Sequence, residues 1–208
     1  KAYTSQLIAF YLLALYMAQV RGTQSEDQVA HVIAAMQSLP EQVESMLAQA
    51  DVVKAYAEQI ASNEHLFFIG RGLDYSVVQE GSLKLKEISY IHSEAYAAGE
   101  LKHGTLALIE EGVPVIALAT QESVLEKTVS NIKEVKARGA EVMAITHEEH
   151  VPDLLKSVDQ ALSIPKTLPL LTPALSVVPL QLLAYYASLA RGNDVDKPRN
   201  LAKSVTVE

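Results

Sequence analysis

Four short, mostly apolar segments constrain the fold of this chain more than any other feature. They are HLFFIG (65–70), PVIALA (114–119), EVMAIT (141–146) and QALSIP (160–165). Short apolar segments of this kind are typical of strands that are covered on both faces. Helical patterns at 75–91, at 123–138 and, after the last segment, at 170–190 accompany them. Strands that alternate with helices predict an α/β fold, a doubly wound parallel sheet with flanking helices.

A helical segment precedes this α/β region, because residues 1–62 show helical patterns only. Ser25 is placed to cap the second of these helices. The first contains an apolar run from Leu7 to Ala18, which is 12 residues long. A membrane span needs about 20 residues, so a buried helix is predicted and no membrane partner is expected. The chain opens with Lys1 inside a helical pattern, and we therefore expect it to be a fragment of a longer polypeptide.

The composition of the chain excludes several classes of function. A formal net charge of −8 over 208 residues argues against a nucleic-acid partner. The absence of cysteine excludes a disulfide framework and a cysteine-ligated metal site, and it favours a cytoplasmic location. No spacing of His, Asp and Glu resembles a metal site.

Two turns that follow predicted strands are candidates for phosphate or nucleotide sites. In IGRGLDYS (69–76), Tyr75 stands where a dinucleotide fingerprint has its third glycine, and no Gly-Lys-Ser/Thr follows. A tight turn at the edge of the sheet is predicted there, without NAD or ATP. In ATQESVLEK (119–127), Glu122 would repel a phosphate at the start of the next helix. We therefore expect no phosphate site in this second turn either.

Glu80, Lys84 and Glu87 are spaced so that they share one face of a predicted helix. One interpretation is a solvated stripe of charges that adds only a few tenths of a kcal/mol per pair. The other is a catalytic base, in which Lys84 keeps Glu87 ionised and oriented while Glu87 moves a proton.

Two histidines and the C-terminal tail complete the candidate residues. His103 lies in a turn between Gly99 and Gly104, and a single histidine in a loop is more often structural than catalytic. His92 is a weaker candidate than His103. The tail (193–208) has neither a helical nor a strand period. It nevertheless contains Leu201 and Val205 beside its lysine and arginine residues, so we expect it to pack onto another part of the protein.

The segments GSLKLKEISYIHSEAYAAGELKHG (81–104) and PRNLAKSVTVE (198–208) resemble the glucosamine-6-phosphate synthase family, the isomerising glutamine:fructose-6-phosphate amidotransferases. They match the two ends of that family's second sugar-isomerase (SIS) domain. KAYTSQL (1–7) is similar to the helix that closes the first SIS domain. The resemblance implies three parts: 1–50 ends the preceding SIS domain and links it to the next, 51–192 is the second SIS domain, and 193–208 is a tail over the active site.

The resemblance also implies an activity and roles for individual residues. The family makes glucosamine 6-phosphate from fructose 6-phosphate and ammonia derived from glutamine. Glu87 matches the base that moves a proton between C1 and C2, and Lys84 matches its neighbouring lysine. His103 matches the histidine that opens the sugar ring from across a dimer interface. Ala202 and Lys203 match tail residues that reach the sugar, and Lys203 matches the lysine proposed to form a Schiff base.

The same resemblance implies partners and leaves alternatives open. The glutaminase domain and nearly all of the first SIS domain are absent, so this chain alone is not expected to perform the full reaction. We expect a homodimer, fructose 6-phosphate and glucosamine 6-phosphate as ligands, and no cofactor. An apolar face of the first helix should then be exposed or covered in a dimer. The alternatives are a non-catalytic phosphosugar-binding regulatory module and a pure dimerisation domain, neither of which needs Glu87, His103 and Lys203 together.

Overall fold

A computed structural model describes residues 2–201 of the chain. Its helices are α1 (Ala2–Val20), α2 (Glu26–Gln37), α3 (Leu39–Leu47), α4 (Ala50–Ile60), α5 (Leu73–Ser89), α6 (Leu125–Lys136), α7 (Val151–Leu154) and α8 (Thr172–Ala190). Its strands are β1 (His65–Gly70), β2 (His92–Ala97), β3 (Pro114–Ala119), β4 (Glu141–His147) and β5 (Gln160–Ile164). A 3₁₀ turn at Ala98–His103, called the His103 turn below, directly follows β2.

The five strands form one parallel sheet in the order β2-β1-β3-β4-β5. The register is fixed at the centre, where Phe68 pairs with Ala95 on one side and with Ile116 on the other. The strand order reverses between β1 and β3. That reversal is the topological switch point, outside which doubly wound folds usually bind their ligands.

Both faces of the sheet are covered, which confirms the predicted doubly wound fold. Alternate residues of β1 point to opposite faces: Phe68 packs with α4, α5 and α8, whereas Ile69 packs with α6. Both side chains are fully buried. The four predicted strands are all present, with ends within one residue of the expected ones.

Strand β2 was not predicted, because 81–104 was interpreted as a helix and a turn. Helix α5 ends at Ser89, and its C-cap Tyr90 adopts a left-handed conformation with φ of 62°. A tyrosine at this position gives no sequence signal for a helix end, since glycine or asparagine is the usual residue. Strand β2 is an edge strand that pairs only with β1, so it lacks the apolar character of the inner strands.

The N-terminal region is helical, as predicted. Ser25 caps α2 through a capping box: its hydroxyl accepts from the amide of Gln28, and the Gln28 side chain accepts from the amide of Ser25. Helix α8 begins near Pro173 and contains Pro179, and Gly192 follows its end with a φ of +71°.

Helix α1 differs from the prediction of a buried helix, since none of its residues is buried within this chain. Phe10, Tyr16 and Val20 are 66%, 65% and 69% exposed. This agrees with the expectation of an uncovered apolar face. By length and composition alone, α1 and α8 could each cross a membrane, but α8 is mostly buried in the protein core.

Candidate active site

Glu80, Lys84 and Glu87 lie together on α5, as their spacing predicted. The Lys84 Nζ atom is 2.6 Å from Glu87 Oε2 and 3.6 Å from Glu80 Oε1. The three side chains are half-buried: Glu80 is 14% exposed, Glu87 31% and Lys84 34%. The lysine therefore sits between two carboxylates that are partly withdrawn from water, which a fully solvated stripe would not show.

The electrostatics of this cluster keep Lys84 charged. Partial burial works to lower the pKa of Lys84, but the hydrogen bond to Glu87 and the charge of Glu80 outweigh it, so the pKa is raised. The adjacent Tyr3 of α1 has a pKa raised to about 12 by burial and by the charge of Glu80. Lys84 thus acts as a fixed cation that orients Glu87, and it is not available as a neutral amine.

His103 is the last residue of the His103 turn, at the carboxyl end of β2. Ala98 and Leu101 anchor this turn in the core beside α6, and both are fully buried. The His103 side chain is 75% exposed, with Nε2 3.7 Å from Glu100 Oε2. Gly104 follows with φ of +151°. The imidazole is therefore presented to solvent from a turn whose backbone is fixed.

The fold separates His103 from Glu87. Helix α5 runs from the carboxyl end of β1 back to the amino end of β2, so Glu87 lies near the amino edge of the sheet. The His103 turn begins at the carboxyl end of β2, whose six residues span about 20 Å. Within residues 2–201, no ion pair or hydrogen bond joins the two side chains.

Ala202 and Lys203 lie outside the described residues. The described part of the tail contacts the end of α5 through Asn193 and Arg199, whereas its apolar residue Leu201 is 54% exposed. The Asn193 side chain donates to the carbonyls of Ile88 and Ser89 at 3.3 and 3.2 Å. The amide of Arg199 donates to the Tyr90 hydroxyl at 2.8 Å, and its guanidinium lies 4.1 Å from the Tyr90 ring centre.

A buried pair, Asp74 and Thr120, lies at the switch point and was missed by sequence reasoning. Thr120 donates to the Asp74 carboxylate from its amide at 2.8 Å and from its hydroxyl at 2.5 Å. Burial raises the pKa of Asp74, and the hydrogen bonds from Thr120 partly oppose that rise. The two residues stand 46 positions apart, so only an acidic first turn of α5 and a threonine after β3 hinted at the contact.

A cavity of about 640 Å³ at the same edge of the sheet is lined by residues that include Glu122, His147 and Lys166. Lys166 Nζ lies 2.8 Å from Glu122 Oε1 and 2.7 Å from Glu149 Oε1, and these hydrogen bonds raise the Lys166 pKa. The expectation that the Glu122 turn holds no phosphate stays a prediction, which this arrangement supports. Glu122, Glu149 and His150 are close enough to ligate one metal ion, but the Lys166 ammonium already lies against both carboxylates.

Comparison with known proteins assigns the chain to a family. The SIS domain family matches residues 59–191, which is more than half of the chain. Proteins named glutamine–fructose-6-phosphate aminotransferase (isomerizing) from Caldanaerobacter subterraneus subsp. tengcongensis and Clostridium tetani are 58% and 57% identical over 208 residues. Each alignment covers 100% of this chain and 34% of the relative, so the chain spans about a third of their length.

A solved structure extends this similarity to three dimensions. The C-terminal domain of glucosamine-fructose-6-phosphate aminotransferase from Francisella tularensis superposes with a TM-score of 0.90 at 36% sequence identity. The superposition covers 95% of this chain and 56% of that one. The matched region contains all five strands and the helices that cover both faces of the sheet. The chain belongs to the SIS domain family.

Proposed function

We propose that the chain is the C-terminal isomerase part of an enzyme that converts fructose 6-phosphate and glutamine-derived ammonia to glucosamine 6-phosphate. The observation that carries the proposal is similarity over the whole chain, at 58% identity, to a protein named for that reaction. The half-buried Glu80–Lys84–Glu87 cluster supports it. A non-catalytic phosphosugar-binding module has no need of such a cluster.

Glu87 is the base that moves a proton from C1 to C2 once nitrogen is bound at C2. Carbon acids of this type need a carboxylate held at a fixed position beside the C–H bond. The hydrogen bond of 2.6 Å from Lys84 supplies that orientation. Because Glu80 binds the same ammonium from its other side, the lysine is held at two points.

His103 opens the sugar ring in a second subunit. Opening the ring of a fructofuranose requires a proton to leave the hydroxyl at C2 while one reaches O5, which an imidazole can transfer. Strand β2, which is six residues and about 20 Å long, lies between Glu87 and His103 in the fold, and this length exceeds that of a hexose phosphate. One copy of the chain therefore does not place both groups on one sugar, and a homodimer would supply His103 from the partner.

Lys203 forms the Schiff base with C2 of the open-chain ketose, and Ala202 contacts the sugar beside it. An amine that attacks a carbonyl must first lose its proton, which exclusion of water by a closed tail favours. The packing of Arg199 on Tyr90 supports a tail held against the end of α5, the helix that carries Glu87.

The remaining partners are the preceding SIS domain and the glutaminase domain of the same polypeptide. We place the enzyme in the cytoplasm and expect it to need no cofactor, metal, nucleic acid or membrane. Residues 1–50 connect to that preceding domain, 51–192 form the second SIS domain, and 193–208 form the tail. An apolar groove of about 690 Å³, lined by residues of α1, α2 and α3, supports a covering partner. The 208-residue chain alone does not turn over glutamine and fructose 6-phosphate.

The test is Glu87→Gln in the full-length polypeptide. Glutamine keeps the shape but cannot accept a proton, so synthesis of glucosamine 6-phosphate should fall by roughly 10²–10⁴-fold. Hydrolysis of glutamine should remain near its normal rate. Glu80→Gln is the matched control, because it alters the other contact of Lys84 and leaves the base in place; its loss should be small. An equal loss of glutamine hydrolysis in Glu87→Gln would indicate a structural role instead.

A further inference from the structure

A polar network joins α6 to the His103 turn, and none of its members touches the Glu87 cluster. Arg71, which follows β1, donates from Nε to Asn131 Oδ1 at 3.0 Å. Asn131 donates from Nδ2 to Glu134 Oε2 at 3.2 Å. Glu134 Oε1 in turn lies 2.8 Å from Lys102 Nζ, next to His103 in the chain.

Asn131 is the centre of this network. Its side chain is 4% exposed, on the inner face of α6. Arginine only donates hydrogen bonds and a carboxylate only accepts them, so the two partners of Asn131 fix the orientation of its amide. Burial opposes ionisation of Glu134, but hydrogen bonds from Lys102 and Asn131 outweigh it and lower the Glu134 pKa. Glu134 therefore stays an acceptor at neutral pH.

The network contacts the His103 turn at two places. At its start, the Arg71 guanidinium lies against Gly99, where an added Cβ would stand 2.8 Å from Nη2. At its end, Lys102 is held by Glu134. The Lys102 contact is exposed and weak, whereas the Arg71 contact is packed against the backbone. The buried Leu101 lies between the two points, so the turn cannot rotate without breaking one of them.

We propose that Asn131 is a positioning residue for His103, because it holds the start of the His103 turn through Arg71 and, more weakly, its end through Glu134. The inference rests on the proposed function, since it requires His103 to act on the sugar. It assigns a role in the reaction to residues that touch no substrate. A displacement of the imidazole by about 1 Å is enough to slow a positioned proton transfer by roughly 100-fold.

The experiment uses the full-length polypeptide with Asn131→Leu, which keeps the branched outline of the side chain and removes both hydrogen bonds. The turnover number should fall by roughly 10- to 100-fold, with little change in KM for fructose 6-phosphate. Thr128→Val is the matched control. Thr128 is also buried on α6, and valine at this position removes one hydrogen bond, from the Thr128 hydroxyl to the Val124 carbonyl. This variant should keep nearly normal turnover.

A double-mutant cycle with His103→Ala separates positioning from a general structural effect. In the His103→Ala background, Asn131→Leu should cause no further loss, because its effect acts through the missing imidazole. If the losses of turnover from the two substitutions are additive, the proposal is overturned. It is also overturned if Asn131→Leu has normal turnover while His103→Ala is impaired. Normal turnover of His103→Ala would instead overturn the assigned role of His103, and the positioning role with it.

Two further measurements keep the result clear if Asn131→Leu folds poorly. Gly99→Ala displaces the Arg71 guanidinium without altering α6. It should reproduce the loss of turnover. Normal turnover of this variant would show that the contact of Arg71 with the turn does not position His103. With 5-deoxyfructose 6-phosphate, which lacks O5 and cannot close its ring, Asn131→Leu should react as fast as the unsubstituted enzyme. Slow reaction of this open-chain substrate would contradict a role in ring opening.

Discussion

The carboxylate of Asp74 accepts both the amide and the hydroxyl hydrogen of Thr120, and so ties the first turn of α5 to the end of β3. The two side chains are 2% and 4% exposed. The contact bridges the point at which the strand order reverses, which is where doubly wound domains usually bind a ligand. A carboxylate of the chain itself therefore occupies this part of the crevice.

Replacement of Asp74 should distinguish its hydrogen bonds from its charge. Asp74→Ala leaves the amide and hydroxyl of Thr120 buried without a partner, which should lower the free energy of unfolding by about 1–3 kcal/mol. Asp74→Asn can accept from the amide and donate to the hydroxyl, so its loss should be smaller. Urea denaturation of the 208-residue chain measures both, and equal losses would contradict this account.

The same pair predicts a pH dependence of stability. Burial raises the pKa of Asp74 above its ordinary value of 3.8, so the folded chain binds this proton more tightly than the unfolded chain. The contribution of Asp74 to stability is therefore greatest in acid and declines as the pH rises from 3.8 through the raised pKa. The stability of the unsubstituted chain relative to Asp74→Asn should thus decrease as the pH rises above 3.8. A difference that stays constant or increases would refute the raised pKa.

Gly81→Ala should destabilise the chain although alanine favours helices. A Cβ at Gly81 would stand 2.6 Å from Cδ1 and 3.1 Å from Cβ of Leu180, where α5 and α8 pack together. Overpacking of this kind typically lowers stability by about 1–3 kcal/mol, against a gain in helix propensity of about 1 kcal/mol. Thermal unfolding in the Leu180→Ala background provides the control: there the close contact with Cδ1 is gone and only the Cβ contact remains, so Gly81→Ala should cause a clearly smaller loss.

The uncovered face of α1 should cause the 208-residue chain to self-associate. Phe10 and Tyr16 are more than half exposed on a helix with no buried residue, and removal of such apolar area from water favours association. Phe10→Glu together with Tyr16→Glu should shift sedimentation toward the monomer. Leu155→Glu is the control, since Leu155 is 49% exposed on a different part of the surface. A monomer at high concentration with α1 well protected from hydrogen exchange would contradict the prediction.

Lys203→Arg in the full-length polypeptide should cause a large loss of amination rate and a much smaller loss of sugar binding. Arginine keeps the charge but cannot form an imine, and its planar fork differs in shape from an ammonium. Borohydride reduction in the presence of fructose 6-phosphate should leave an adduct on Lys203, detectable by mass spectrometry of the terminal peptide. Lys197→Arg, an exposed change in the same tail, should retain both turnover and adduct. An adduct on another lysine would remove Lys203 from the mechanism.

The sequence predicted those parts of the fold whose signal is local. The inner strands are short apolar segments, and the spacing of Glu80, Lys84 and Glu87 places them on one helix face whatever else the chain does. Strand β2 was missed because its signal depends on Tyr90, a residue that rarely ends a helix in the left-handed conformation.

Contacts between distant residues could not be predicted from one sequence. Asp74 reaches Thr120 across the switch point, and Lys166 pairs with Glu122 and Glu149 only because parallel strands end at the same edge. The network around Asn131 has the same origin, since its four members come from three separate segments of the chain: Arg71 after β1, Asn131 and Glu134 on α6, and Lys102 in the His103 turn.

Helix α1 also determines what a denaturation experiment on this chain can detect. The denaturant m-value and the heat capacity of unfolding scale with the surface newly exposed when the chain unfolds. Because α1 has only half-buried side chains against the core, such as Tyr3, Ile8 and Tyr11, its melting adds less to either quantity than that of a buried helix. The transition therefore reports mainly on the sheet and the helices packed against it. A partner that covers α1 would therefore steepen the transition as well as move its midpoint, so the slope is a direct measure of whether that face is occupied.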